Sequence, residues 1–281
     1  MHHMRFRTPS VVFVALLALA GGYGLSSLMP GSNEQAEPSY SFAAEDAAKA
    51  EALVRALPPH CQAALIGSRY GLFFTPGGGD AYNSNEQYSA DEKTHYYAVF
   101  RNAQLVDFDG KVHRFFDIIG ERDRIKNAKA QWIAVMQYIG KNSDEVIFAA
   151  FKPELIRLAQ QAAKYHLSSM SKEFRTAWLA QQACLLSTPD GQNFFTGRVT
   201  RKRVPGTHTE LITRDMSGNP QYVDAKGKKR DFNEIYRKLN GHIRARAAWE
   251  YASYCAAIVG PEAILSVFPD EVADLRKANA K

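Results

Sequence analysis

Three groups of residues in this chain have types and spacings that bear on chemistry. The first is cysteine: Cys61, Cys184 and Cys255. A cysteine nucleophile needs a nearby base that lowers its pKa. Only Cys61 has a histidine beside it, His60, and sequence neighbours usually point apart, so no catalytic thiol is indicated. The second group is Asp107, Asp109 and His113, which surround an Asp-Gly dipeptide and have ligand chemistry for a metal. Asp109-Gly110 as a hairpin tip already accounts for one carboxylate, and strand alternation places Asp107 where it is solvated. No second His, Cys or Asp group has metal-ligand spacing, so no metal or other cofactor is expected. The run Gly77 to Gly79 lacks a following Lys-Ser/Thr pair and opens no helix, which removes a phosphate loop. G-x-S-x-G, H-E-x-x-H and EF-hand patterns are absent.

The third group is basic. Between Arg198 and Arg246 stand thirteen Lys and Arg against five Asp and Glu, whereas the whole chain carries only +6. The remainder is therefore slightly acidic. Two triplets, Arg201-Lys202-Arg203 and Lys228-Lys229-Arg230, meet on one face if the turns of this segment fold together. Such a patch attracts polyanions: nucleic-acid phosphates, anionic lipid headgroups or an acidic partner. The plainer alternative is a solvated basic face that protects strand edges. Aromatic residues are too thinly interleaved (Phe194, Phe195, Tyr222, Phe232) for single-strand recognition by stacking.

The elements that carry these groups start with the N-terminus. Arg5 and Arg7 precede an uncharged run from Val11 to Met29, strongly apolar to Ala20 and then diluted by Gly and Ser. As a secretory signal, the run ends its core at Ala18-Leu19-Ala20, an A-x-A-like site. As an anchor, a helix of this length spans about 28 Å, barely the hydrocarbon thickness. Residues 1–29 thus read as a signal peptide or single transmembrane anchor, and both readings export the rest. Residues 30–41, rich in Pro, Gly, Ser and Glu, read as a flexible tether reaching at most about 40 Å. An anchored body would then stay near the inner membrane. An oxidising compartment predicts a disulfide among the three cysteines; the Cys184–Cys255 pairing, closing about 70 residues, would contribute about 4 kcal/mol.

Residues 42–281 read as an exported globular domain. A helix is expected over Phe42 to Leu57, stopped by Pro58-Pro59, and a short one over Cys61 to Arg69. His95 to Phe108 and Lys111 to Ile119 read as a hairpin around Asp109-Gly110. Helices follow over Glu121 to Ile139, from Pro153 to Leu167, and from a Ser171 cap to Leu186. Turn residues then separate the strand-like runs of a basic β-meander at about 192–230. Asp231-x-x-Glu234 is a capping box opening the longest helix, to Val259, with Ile235, Leu239, Ile243, Ala247, Tyr251, Tyr254, Cys255 and Ile258 on its buried stripe. Gly260-Pro261 breaks it, and two short helices end the chain. No internal repeat is expected. The class is α+β, helix-dominated, with a β-hairpin and a small antiparallel β-meander.

With 46% hydrophobic and 23% charged residues, disorder and disulfide-scaffold classes are excluded. The expectation is a membrane-tethered periplasmic interaction or structural protein, one component of an envelope-spanning secretion, conjugation or pilus assembly, whose partners are other envelope proteins. The absence of an Asn-x-Ser/Thr sequon agrees with a bacterial envelope. A peptidoglycan hydrolase assembled from distant residues, and a protein binding DNA or anionic lipid through residues 198–246, are the alternatives.

Overall fold

Pro58 and Pro59 part the first two helices as their chemistry requires. α1 is Ser39–Arg55, and α2, Pro59–Arg69, takes proline in its first turn, where no N–H is needed. The computed structural model describes residues 39–77, 103–142, 144–194, 199–203, 210–214 and 219–280. The chain divides into units 1–41 and 42–281. All that follows belongs to the second, save the first residues of α1. The expected anchor over 11–29 lies outside the described residues, among which no helix is long and apolar enough to cross a membrane.

After α2 come β1 (Gln104–Val106) and β2 (Val112–Arg114), then α3 (Phe115–Arg124), α4 (Ala128–Lys141), α5 (Asp144–Phe148), one 3₁₀ turn and α6 (Lys152–Ser169). α7 (Lys172–Gln182) is capped by Ser171, whose hydroxyl accepts from Phe174 N–H at 3.3 Å. β3 (Val199–Arg203) pairs with β4 (Glu210–Arg214), and β5 (Gln221–Val223) with β6 (Lys229–Asp231), both antiparallel. The chain ends with α8 (Phe232–Asn240), α9 (Ile243–Val259), α10 (Pro261–Leu265) and α11 (Pro269–Asn279). The described residues are helix-dominated with small antiparallel hairpins.

The structure corrects the sequence reading on repetition. From β1 onward, elements and residues of the two halves correspond at a constant spacing of 117 residues. β1, β2, α5 and the starts of α3 and α6 recur as β5, β6, α10 and the starts of α8 and α11, with α4 answered by α9. Gln104, Val106, Asp107, Gly110, Lys111, Phe115 and Ile118 recur as Gln221, Val223, Asp224, Gly227, Lys228, Phe232 and Ile235. Trp132, Ile147, Phe151 and Leu158 recur as Trp249, Ile264, Phe268 and Leu275, every one of them buried. α2 and α7 also correspond end to end, at a spacing of 113 residues. Both helices close alike. Leu72 N–H reaches back to Gly67 O at 2.8 Å and Leu185 N–H to Ala180 O at 2.9 Å, with Gly71 (φ 64°) and Cys184 (φ 55°) in the left-handed conformation between. A Leu-x-x-Thr-Pro segment follows each turn, and its third residue bridges to the strand: Phe74 to Gln104, Ser187 to Gln221.

The packing repeats as well. α2 lies on α3 as α7 lies on α8, and α6 on α2 and β1 as α11 on α7 and β5. Arg55 bonds Glu154 at 2.8 Å and sits 5.0 Å over the Phe151 ring. Arg175 bonds Glu271 at 3.2 Å and sits 6.0 Å over Phe268. The glutamates and phenylalanines are equivalent, while the arginines come from different helices, so the space was kept and its occupant replaced. The copies meet where α9 lies along α6, the most extensive helix–helix contact described. The repeat escapes a sequence reading because its fixed positions are sparse and the spacing changes by four residues between α2 and β1.

The hairpin arm expected over Lys111 to Ile119 ends at Arg114, where α3 begins, and three other expectations change. The helix expected over Glu121 to Ile139 is broken between α3 and α4, where Asn127 adopts φ 70°. The helix expected from Asp231 to Val259 is two, parted at Gly241-His242. This break shifts the phase, so Ile243, placed on the buried stripe, is 84% exposed. The meander is not one sheet but two separate hairpins, because Lys226-Gly227 is a hairpin tip rather than a strand end.

Candidate functional site

The Asp-Gly hairpin is where the sequence places its densest polar chemistry. Asp107 opens a β-turn in which Gly110 N–H donates to Asp107 O at 3.1 Å and Gly110 adopts φ 81°, with Asp107 N–H bonded to Lys111 O at 2.9 Å. The Asp107 carboxylate folds into its own turn. Oδ1 accepts from the N–H groups of Asp109 and Lys111, both at 2.9 Å, and Oδ2 lies 2.7 Å from His113 Nε2. Burial works against the charged form, but these bonds outweigh it and hold the carboxyl below its ordinary range. His60 stacks on His113 with ring centroids 5.9 Å apart, and its Nε2 lies 3.0 Å from Glu121 Oε2.

An oriented Asp–His pair beside a second histidine resembles acid–base machinery in isolation. The second copy gives the pair its meaning. Asp224 accepts from Lys226 and Lys228 N–H, both at 3.0 Å, and from Arg230 Nε at 2.7 Å. Atom for atom this is the same device, with Arg230 standing where His113 stands. Arginine cannot exchange a proton near neutral pH. The common task is to supply a donor to a buried turn carboxylate, so Asp107 and His113 are turn-closing residues. Among the described residues no three His, Cys, Asp or Glu gather as a metal site.

The cysteines are all free, and the expected disulfide is not formed. Their surroundings explain it. Cys61, near the start of α2, and Cys255, within α9, are wholly buried as small core hydrophobes. Cys184 is exposed, at the turn after α7. Burial pushes the Cys61 thiol up to about 11 and Cys255 higher still, so neither is a thiolate at neutral pH. His166 is another buried polar side chain, among the rings of Phe74 (4.6 Å), Tyr251 (4.4 Å) and Tyr165 (5.2 Å). Its Nε2 has no hydrogen-bond partner, and burial lowers its pKa to about 4, which keeps it neutral.

The two basic triplets lie on different hairpins. Arg201, Lys202 and Arg203 occupy β3 opposite Ile212, Leu211 and Glu210, at positions where only the backbone is described. On the other hairpin Lys228 and Lys229 are exposed with Lys226, while Arg230 is half-buried and committed to Asp224. The second hairpin therefore presents three lysines at its tip, where the first presents Asp109, Lys111 and Val112.

Beside that lysine tip lies a feature the sequence did not signal. A groove of about 900 Å³ runs between the turn after α7, the β5–β6 tip and the last turns of α11. Its lining mixes apolar Leu185, Val223 and Ala225 with polar Ser187 and Asn279, and carries the charges of Lys229, Asp274 and Lys277. It holds a single acid and no histidine, so it offers neither facing carboxylates nor a Cys–His pair. Comparison with family profiles, with curated proteins and with solved structures finds no match to this chain.

Proposed function

We propose that the chain is an exported, membrane-tethered protein that works by binding other envelope proteins. The observation that carries this is the fate of its best chemical candidates. Two copies of one scaffold hold a carboxylate in equivalent places, Asp107 and Asp224, and in both copies it closes a turn. Exposed positions differ between the copies: Phe116, Ile133 and Met136 of the first answer to Asn233, Glu250 and Ser253 of the second. A scaffold that keeps buried Trp132, Ile147, Phe151 and Leu158 in both copies while exposed positions diverge has freed its surface for recognition. The basic flank and apolar run before residue 30 support delivery across a membrane. A secretion, conjugation or pilus assembly is the setting proposed for it.

The test is a phosphatase fused after Lys281. The enzyme needs its disulfides oxidised, so the reading expects an active fusion outside the cytosol; a fusion that stays reduced and inactive in the cytosol would remove it. A second reading is favoured by the three exposed lysines of the β5–β6 tip, which suit a polyanion. If it holds, the chain is retained on heparin at physiological salt, and Lys226, Lys228 and Lys229 changed to Gln abolish retention. Retention unaffected by salt or by these changes would dismiss it.

A further inference from the structure

We infer that the groove of the second copy receives one aromatic side chain of a partner polypeptide, flanked there by acidic residues. The first copy shows what fills the same space. Its equivalent of Ala225 is Phe108, 91% buried, with Arg157 5.9 Å over the ring and bonded to Phe108 O at 2.9 Å. In the second copy the phenylalanine is alanine and Arg157 is replaced by Asp274. The tips report the same difference. A Cβ added at Gly110 would meet Gln161 Oε1 at 3.0 Å, so the first tip touches its helix, whereas one at Gly227 would find nothing within 4 Å. Hairpin and helix keep their register in both copies, and one ring's worth of packing is missing from the second.

That comparison identifies the occupant. The place beside Ala225 is where the first copy seats a benzyl group, which buries a large apolar area at small entropic cost. The rim selects what accompanies it. Lys229 and Lys277 line the groove with Lys226 and Lys228 exposed beside it, against the single acid Asp274. The first copy has Val112 and Gln160 at the lining positions. The added charge favours carboxylates on either side of the ring, as Asp107 and Asp109 flank Phe108 in the chain itself. The Phe108 of a second copy is not available to it, being already packed.

The assay reads Cys184, which lines the groove and is the one exposed cysteine, against buried Cys61 and Cys255. The full chain is labelled with a bulky maleimide in the presence of acetyl-Asp-Phe-Asp-amide or acetyl-Asp-Ala-Asp-amide. At about twice its Kd the first peptide slows labelling about threefold, since only open groove reacts. The alanine peptide has no effect, and Ala225→Phe abolishes the protection. Where that variant fails to fold, Lys229→Val with Lys277→Gln, the residues of the first copy, weakens the aromatic peptide several-fold. Absent protection, equal protection by both peptides, or protection surviving Ala225→Phe overturns the inference. So does slow labelling of the free chain that Ala225→Phe accelerates, which would give the groove to a segment of this chain. The inference rests on the partner-binding reading, and the failures separate: an exported reporter with unprotected Cys184 removes the groove alone, a cytosolic reporter removes the reading.

Discussion

His166 makes stability depend on pH in a window that the structure defines. Its ring is 2% exposed, ringed by Phe74, Tyr165 and Tyr251, and offers no partner for an added proton at Nε2. In the unfolded chain the imidazole takes up a proton near its ordinary 6.5; in the folded chain burial delays this to about 4. Between these values the unfolded state binds more protons, so stability falls as pH drops and levels off below about 4. The displacement corresponds to about 3 kcal/mol over the whole window, a large share of the stability of a small domain. His60 and His113 lie elsewhere and are the same in both proteins, so His166→Phe isolates the one contribution. Urea unfolding followed by circular dichroism at about pH 7 and about pH 4.5 should show the variant losing about 2 kcal/mol less than the parent chain. Equal losses would refute the reasoning, because they would mean that His166 is protonated in the folded state at no cost.

The duplication supplies further expectations. Cys184 holds φ 55° where the first copy has Gly71, so Cys184→Gly should raise stability by about 0.5–1 kcal/mol in the same unfolding assay. Asp224→Ala removes three acceptor contacts and leaves Arg230 unpaired, and should cost about 2–3 kcal/mol; Asp107→Ala should cost a comparable amount, by chemical denaturation. Because burial of both carboxylates is outweighed by their donors, both are held low, and the stability they contribute is present above the ordinary Asp range and lost below it in acid. His113→Arg, which writes the second copy's residue into the first, should leave the melting temperature within a few degrees, whereas a loss like that of Asp107→Ala would show that the histidine does something arginine cannot.

The parts of this structure legible in the sequence are those fixed by local chemistry. Pro58-Pro59, the Ser171 cap, the Asp231–Glu234 pair and Asp109-Gly110 each dictate backbone within a few residues, and each acts as read. Breaks set by tertiary contact were not legible: Asn127 and Gly241-His242 interrupt patterns that are periodic on both sides, and the buried stripe loses Ile243 as a result. Lys226-Gly227 reads in the sequence only as separating or ending strand-like runs, because lysine is a weak turn former, although its twin Asp109-Gly110 reads as a hairpin tip. The groove was the hardest to see. Its signal is a missing side chain, Ala225 against Phe108, and a deletion is visible only beside the copy that lacks it. The basic cluster was legible as composition but not as geometry, since Arg230 turns inward to Asp224.

Photocrosslinking in living cells tests the central claim most directly. A photoreactive residue is placed at Lys226, on the rim of the open groove, or at its equivalent Asp109, where the groove is filled. The account predicts that position 226 captures an envelope protein through an aromatic-bearing acidic segment mapped by mass spectrometry, that position 109 captures none, and that Ala225→Phe abolishes the adduct. Capture from both positions alike, or from 226 regardless of residue 225, would contradict it.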